Sequence, residues 1–304
     1  MKVVLLAGGT GAARLATGLQ DVLAPEDLTV VCNTGDDIEH WGVHVSPDLD
    51  AVLYRLAGIF DEAAGYGIAG DTYEVFEHMR ELGEPAWFRL GDADLAHCLI
   101  RTAVLARGGG LTRACLELAR RLGVDVPVLP MSDDRVRTLF ATDAGCLAFQ
   151  EYFVRERARP RVEGIEFAGI DSARPSREVA TAVAAADLVV VGPSNPLISI
   201  APIVQLLGDR LPAARTVAVS PVVEGRSLKG PTVEMMRSLG HDASALGVAR
   251  MYAGQAARFV LDVRDAALRR PIEELGLSVL VADTVMGDHE GSRRLALDIL
   301  ETAC

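Results

Sequence analysis

The chain has 304 residues, half of them apolar, and a formal net charge of -12. That is enough apolar material for one large core, and the acidic balance argues against a protein that mainly grips nucleic acid or an anionic membrane, both of which need a basic face. The five cysteines are scattered, odd in number and without CxxC spacing, so a reducing cytoplasm is expected, with neither a disulfide framework nor a zinc site. No apolar run approaches the roughly 20 residues of a membrane span.

In chain order, "KVVLL" (2–6) opens with a charge and a short apolar run, which reads as a first strand and not as a signal peptide because glycines follow at once. It leads into "LLAGGTGAARLATGL". Gly8, Gly9 and Gly11 lack a Cβ, so the backbone can turn tightly and approach a ligand, while a helix beginning near Ala12 offers unpaired N–H groups and its positive dipole end. This arrangement favours a phosphate, although the spacing is neither Walker A nor GxGxxG. A tight turn without a ligand is the alternative. Arg14, on the first helical turn, adds a charge for a phosphate contact.

A second strand, "LTVVC" (28–32), runs into "NTGDDIEHWGVHVSPDLDAVLY". Asp36, Asp37, Asp48 and Asp50 bring hard oxygen atoms from two loops, a donor set that suits Mg²⁺. Ser46 followed by Pro47 reads as an N-cap and first-turn pair, and Asp48 is then an ordinary complement to the helix dipole. That reading leaves "GDD" unexplained. His40 and His44 have a glycine between them and no expected helix, so ligation by them is not expected.

Between Leu49 and Leu122 the apolar spacing is helical, with almost no strand signal, which predicts a largely helical insertion beside the sheet. Within it, "PAWFRLGDADLAHC" sets Arg89 after two aromatics. Trp87 and Phe88 read equally as core or, with Arg89, as a platform for a flat heteroaromatic ligand. The strands "DVPVL", "VEGIEF", "DLVVVG", "RTVAVS", "RFVLDV" and "LSVLVAD" then alternate with helical stretches up to a closing helix over 290–303. In "MSDDRVRT", Arg135 and Arg137 fit cross-strand pairing as well as substrate contact. "VVVGPSNPLISIAPIV" places Ser194 and Asn195 in a stiff strand-terminal loop suited to an anion or ribose, and "EGRSLKGP" places Lys229 at a helix start, where it is either a phosphate contact or solvated. Short runs apolar on both faces, separated by helices, predict a doubly wound, mostly parallel, Rossmann-like α/β sheet in a single domain spanning 1–304, with 49–122 inserted in it.

Ligands of such sheets collect outside the carboxyl ends of the strands. The loops there offer two anion-friendly turns and an acidic pocket, with no GxSxG and no nucleophile–base pair. Phosphoryl or nucleotidyl transfer, which depends on positioning and charge neutralisation, fits that inventory.

Taken in register, "GGTGAARLATGL", "CNTGDDIEHWGVHVSPDLDAVLY", "GDTYEVF", "WFRLGDADLAHCLIRT", "MSDDRVRT", "VGPSNPLISIAPI", "VSPVVEGRSLKGP" and "ADTVMGD" resemble the 2-phospho-L-lactate transferase family of deazaflavin coenzyme F-420 biosynthesis. The resemblance implies an Mg²⁺-dependent enzyme in which the terminal ribityl hydroxyl of the deazaflavin Fo attacks a phosphorus of a guanosine-diphospho-linked three-carbon acid and GMP leaves. It puts Asp50 and Arg89 at Fo-binding positions, Asp36 and Asp50 at the metal, and Asp50 in the catalytic position, orienting the hydroxyl or accepting its proton. Gly8, Gly9, Gly11, Arg14, Ser194, Asn195 and Lys229 would hold the nucleotide and its phosphates. It also implies a homodimer. The sequence departs from the usual family pattern at Arg14, where lysine is frequent, and at Tyr66, where tryptophan is. The donor acid, phospholactate or its dehydro form from phosphoenolpyruvate, is left open. The competing reading is a nucleotide-sugar-binding regulator of the gluconeogenesis-factor-like branch, which resembles the same glycine loop.

Overall fold

A computed structural model describes residues 1–302; Ala303, to which the expected closing helix extends, and Cys304 lie outside the described residues. Strand β1 (Val3–Ala7) turns into helix α1 (Gly9–Val22), and the chain returns as β2 (Leu28–Cys32). A hairpin of β3 (Ile38–His40) and β4 (Val43–Val45) precedes α2 (Pro47–Leu56), α3 (Glu74–Glu81), α4 (Asp92–Ala106) and α5 (Leu111–Arg121), after which β5 (Val128–Pro130) rejoins the sheet. Next come β6 (Arg137–Thr142), β7 (Gly145–Ala148), β8 (Val162–Ala168), α6 (Arg177–Ala185), β9 (Leu188–Val191), α7 (Ala201–Leu207) and β10 (Thr216–Val219). The chain closes with β11 (Val222–Val223), β12 (Arg226–Ser227), α8 (Thr232–Ser238), α9 (Ala245–Tyr252), β13 (Arg258–Asp262), α10 (Arg269–Glu273), β14 (Ser278–Ala282) and α11 (His289–Glu301).

Seven strands form one sheet in the order β14-β13-β10-β9-β1-β2-β5, and each neighbouring pair is parallel. The alternation of side chains along each strand builds a core on either face. Val3, Leu5 and Ala7 pack with α1, α2, α5 and α11, while Val4 and Leu6 pack with α6, α7 and α9. This is the doubly wound arrangement expected from the apolar runs.

"VEGIEF" departs from the expectation. It is β8 of a separate antiparallel sheet, β7-β6-β8, and its partner "RTLFAT" carried no strand expectation. The physical reason is exposure: most of β8 is partly or fully open to solvent, whereas every residue of β1, β9 and β10 is buried. A strand covered on both faces cannot carry Glu163 and Glu166. Arg135 lies ahead of β6, in no strand, and makes a loose surface pair with Glu39 of β3 at 3.7 Å.

The chain reverses winding direction at β1, between β2 and β9. The loops leaving β1 and β9 therefore face one another, which is the topological switch point where ligands of open α/β sheets gather.

Candidate functional site

At the switch point the glycine loop is shaped first by the protein itself. A Cβ on Gly11 would lie 2.0 Å from the Pro193 carbonyl oxygen, and one on Gly8 would lie 2.6 Å from the Ser199 Cβ. These two glycines allow the β1 and β9 loops to touch. Gly9 is different: its φ is +70° and its amide donates to Asp48 Oδ1. The Ser194 hydroxyl accepts from the Ala12 amide at 3.3 Å, and the Asn195 side chain caps the turn that follows it by accepting from the Leu197 amide at 2.9 Å. The Thr10 and Gly11 amides, which helix geometry leaves without an intrahelical acceptor, line the cavity outside.

That cavity, about 440 Å³, brings together Gly8, Gly9, Gly11, Asp36, Asp48, Gln150, Ser194, Asn195 and Lys229. Its acidic side holds two buried carboxylates. Asp48 is pushed up to about 6 by burial, which hydrogen bonds from Asn33 and Gly9 only partly offset. Asp36 is raised well above the usual carboxylate range, by burial first and then by the neighbouring charge of Asp48. Asp36 Oδ1, Thr34 Oγ1 and Ser46 Oγ are buried without hydrogen-bond partners. Hard oxygens, mutual repulsion and unpartnered atoms are what a hard divalent cation satisfies, so Asp36 and Asp48 fit Mg²⁺.

Asp50 does not share this cavity. Asp48 and Asp50 are two residues apart on α2, roughly 200° around the helix; Asp48 lines both spaces, whereas Asp50 lines only the second. Asp50 lines an adjoining space of about 190 Å³ with Tyr54, Tyr66, Phe88, Arg89 and Asp94. Its Oδ1 is held by the fully buried Arg101, which also donates to the His44 carbonyl oxygen at 3.2 Å. Asp50, Asp94 and Cys98 bring oxygen and sulfur atoms within 4.8 Å of one another, but the Arg101 guanidinium already supplies the positive charge there. Asp36 and Asp50 are therefore not brought together as a metal pair. Asp48, expected only to complement a helix end, is the carboxylate that lines the cavity with Asp36.

In the same space Tyr54 donates to Asp94 at 2.7 Å, and His97 Nδ1 lies 3.1 Å from the Tyr54 hydroxyl. Burial and the nearby Asp50 charge push Asp94 up to about 7. The Arg89 guanidinium sits 3.6 Å over the Tyr73 ring. Trp87 and Phe88 pack around His40, which burial holds below its usual pKa, and Phe88 also lines this space. His44 is committed as well, with Nε2 2.9 Å from Asp37 Oδ2. Arg14, expected at a phosphate, lies beyond this region: it donates to the Met286 carbonyl oxygen at 2.7 Å and pairs with Glu62 at 3.0 Å.

Sequence reasoning missed Arg101, Asp94 and Gln150, whose side chain donates to the Asp36 carbonyl oxygen at 2.9 Å. A signal existed for two of them: Asp94 and Arg101 are seven apart, two turns on one face of α4 with Cys98 between, so the buried face of a helix carries charge.

A family model described as "2-phospho-L-lactate transferase CofD" matches residues 3–285. The 2-phospho-L-lactate transferase of Methanosarcina acetivorans is 39% identical over 99% of this chain and 100% of its own. The protein of the same name from Methanothermobacter thermautotrophicus is 41% identical, covering 93% and 92%. The phosphoenolpyruvate transferase of Streptomyces griseus is 36% identical, covering 100% and 98%. In fold, the chain is similar to the crystal structure of a upf0052 family member from Bacillus halodurans, with a TM-score of 0.65 at 15% identity over 98% of each chain. No helix among the described residues is long and apolar enough to cross a membrane.

Proposed function

The chain belongs to the 2-phospho-L-lactate transferase CofD family and is a transferase, and from that premise we propose that it makes a phosphodiester between the deazaflavin Fo and a three-carbon acid in coenzyme F-420 biosynthesis. The terminal ribityl hydroxyl of Fo attacks the phosphorus that carries the acid in a guanosine-diphospho-linked donor. The bond from that phosphorus to the bridging oxygen breaks, and GMP leaves with that oxygen. Relatives named for phospholactate and for phosphoenolpyruvate flank this chain at similar identity, so the proposal covers both acids.

One observation carries the reading: the two cavities share a wall made of Gly9, Thr10, Pro47, Asp48 and Gly65. A donor on the glycine-loop side and a flat acceptor on the Arg89 side meet across it. Thr10, Gly11 and Lys229 neutralise the diphosphate. Asp36 and Asp48 would hold Mg²⁺, which supplies charge neutralisation at the diphosphate when bound. Arg101 fixes the rotamer of Asp50, making Asp50 a positioning group for the Fo hydroxyl. Asp94, whose proton affinity lies near neutrality, takes the hydroxyl proton. The cytoplasmic homodimer belongs to the same proposal.

The test is mass analysis of reactions containing Fo, Mg²⁺ and each guanosine-diphospho donor in turn. A phosphodiester of Fo with stoichiometric GMP is expected. If neither donor releases GMP and a uridine nucleotide sugar binds while Fo does not, the regulator reading replaces this one.

A further inference from the structure

Beside the donor cavity lies a pair of guanidiniums, Arg14 and Arg55, that the transfer described above does not use. The Arg55 side chain, on α2, is only 3% exposed and rests against the Phe60 ring, with its guanidinium carbon 3.8 Å from the ring centre. One nitrogen, Nη1, donates to Glu62 Oε1, while Nε and Nη2 are buried with no partner. Arg14 reaches the other oxygen of the same carboxylate, Nη2 to Oε2 at 3.0 Å. Lys229 stands close by, its ammonium held below its usual pKa by burial and then by the charges of Arg14 and Arg55. Two guanidiniums thus converge on one exposed glutamate, with Lys229 near by and two buried donors of Arg55 unused.

Glu62 sits on a loop that is bonded to itself. The Asp61 side chain accepts from the Ala63 and Ala64 amides at 2.9 Å each, the Gly65 amide donates to the Asp61 carbonyl oxygen at 2.8 Å, and Asp61 N donates to the Gly67 carbonyl oxygen at 3.1 Å. Among the described residues, Glu62 is the one side chain of 61–67 that hydrogen-bonds outside the loop. Gly65 and Lys229 also line the donor cavity, as does Met286, whose carbonyl oxygen anchors Arg14. The guanidiniums line a cavity of their own, which adjoins the donor cavity at Gly65, Lys229 and Met286.

We propose that Arg14 and Arg55 form the subsite for the carboxylate of the donor's three-carbon acid, and that the Glu62 carboxylate fills this subsite until the donor displaces it. The inference rests on the proposed transfer for the identity of the acid and on geometry for the rest. A planar carboxylate bridging two guanidiniums is already realised within the chain, and an incoming carboxylate would take up the same arrangement. Displacement breaks two ion pairs to a half-exposed side chain and presents an incoming carboxylate to the unused Arg55 donors.

The test is calorimetric titration of the full chain with phosphoenolpyruvate, inorganic phosphate and GDP as separate probes. Glu62→Ala, which alters an exposed side chain, should bind phosphoenolpyruvate about tenfold more tightly, as expected if the free subsite is open only about a tenth of the time. Inorganic phosphate and GDP should bind as in the unaltered chain, and adding Arg14→Gln should abolish the gain. Unchanged affinity for phosphoenolpyruvate, or an equal gain for inorganic phosphate, overturns the proposal. Turnover is not read in these titrations, so absence of GMP release would count against the transfer reaction and leave the subsite standing.

Discussion

The Asp50 carboxylate and the Arg101 guanidinium form an ion pair in which the arginine side chain is 0% exposed and the aspartate 7%. The pair locks α2 against α4 under the acceptor space. Removing one member leaves the other charged and buried, which costs about 3–5 kcal/mol. Arg101→Met should therefore lower the urea midpoint by that equivalent, and Asp50→Asn should also destabilise the chain and not merely silence it. The double variant is expected to recover much of the loss. Additive losses in the cycle would show that the two do not interact.

A second expectation concerns pH and metal. Asp48, raised to about 6, and Asp36, also raised by burial, keep protons in the folded chain that an unfolded carboxyl releases near pH 4. Between those values the native state binds more protons, so stability without metal should fall as pH rises from about 4 through 6. Mg²⁺ should restore it at pH 8 and do little at pH 5, read as a shift in thermal midpoint. Asp48→Asn should flatten both effects, and a wild-type midpoint at pH 8 indifferent to Mg²⁺ would refute the metal assignment.

Asp94 gives a kinetic counterpart. With its carboxyl near 7, turnover should climb with pH through that value as the base form appears. Asp94→Asn should lose this limb and about 100-fold in kcat at pH 8. Retention of the limb in the variant would transfer the role to another group.

Gly11→Ala tests whether the glycine loop is shaped by contact with protein. A methyl group 2.0 Å from the Pro193 oxygen must push the β1 and β9 loops apart, at a cost of about 1–3 kcal/mol. Guanosine nucleotide affinity should fall with it. A chain of unchanged stability would mean that the two loops are free to separate.

The parallel sheet was legible because strands buried on both faces leave an unmistakable apolar run, and the separate antiparallel sheet was not, because half-exposed strands such as β8 imitate loops. Sequence pointed to the acidic loops but not to their partners. Spacing shows that Asp48 and Asp50 lie on different sides of a helix; it does not show which side faces Asp36. Arg101 and Glu62 were invisible for a related reason, since an arginine or a glutamate has a meaning only when the carboxylate or guanidinium it meets is known, and those partners lie 51, 48 and 7 residues away.

The shared wall at Asp48 also divides the chain by origin. Apart from Gly9 and Thr10, the residues around the acceptor space come from one continuous stretch, 45–94, whereas the donor cavity is assembled chiefly from loops scattered between Gly8 and Met286. Acceptor preference can thus drift, or be re-engineered, within a single segment while nucleotide recognition stays with the sheet. A cassette exchange of that stretch should carry the choice of acceptor with it.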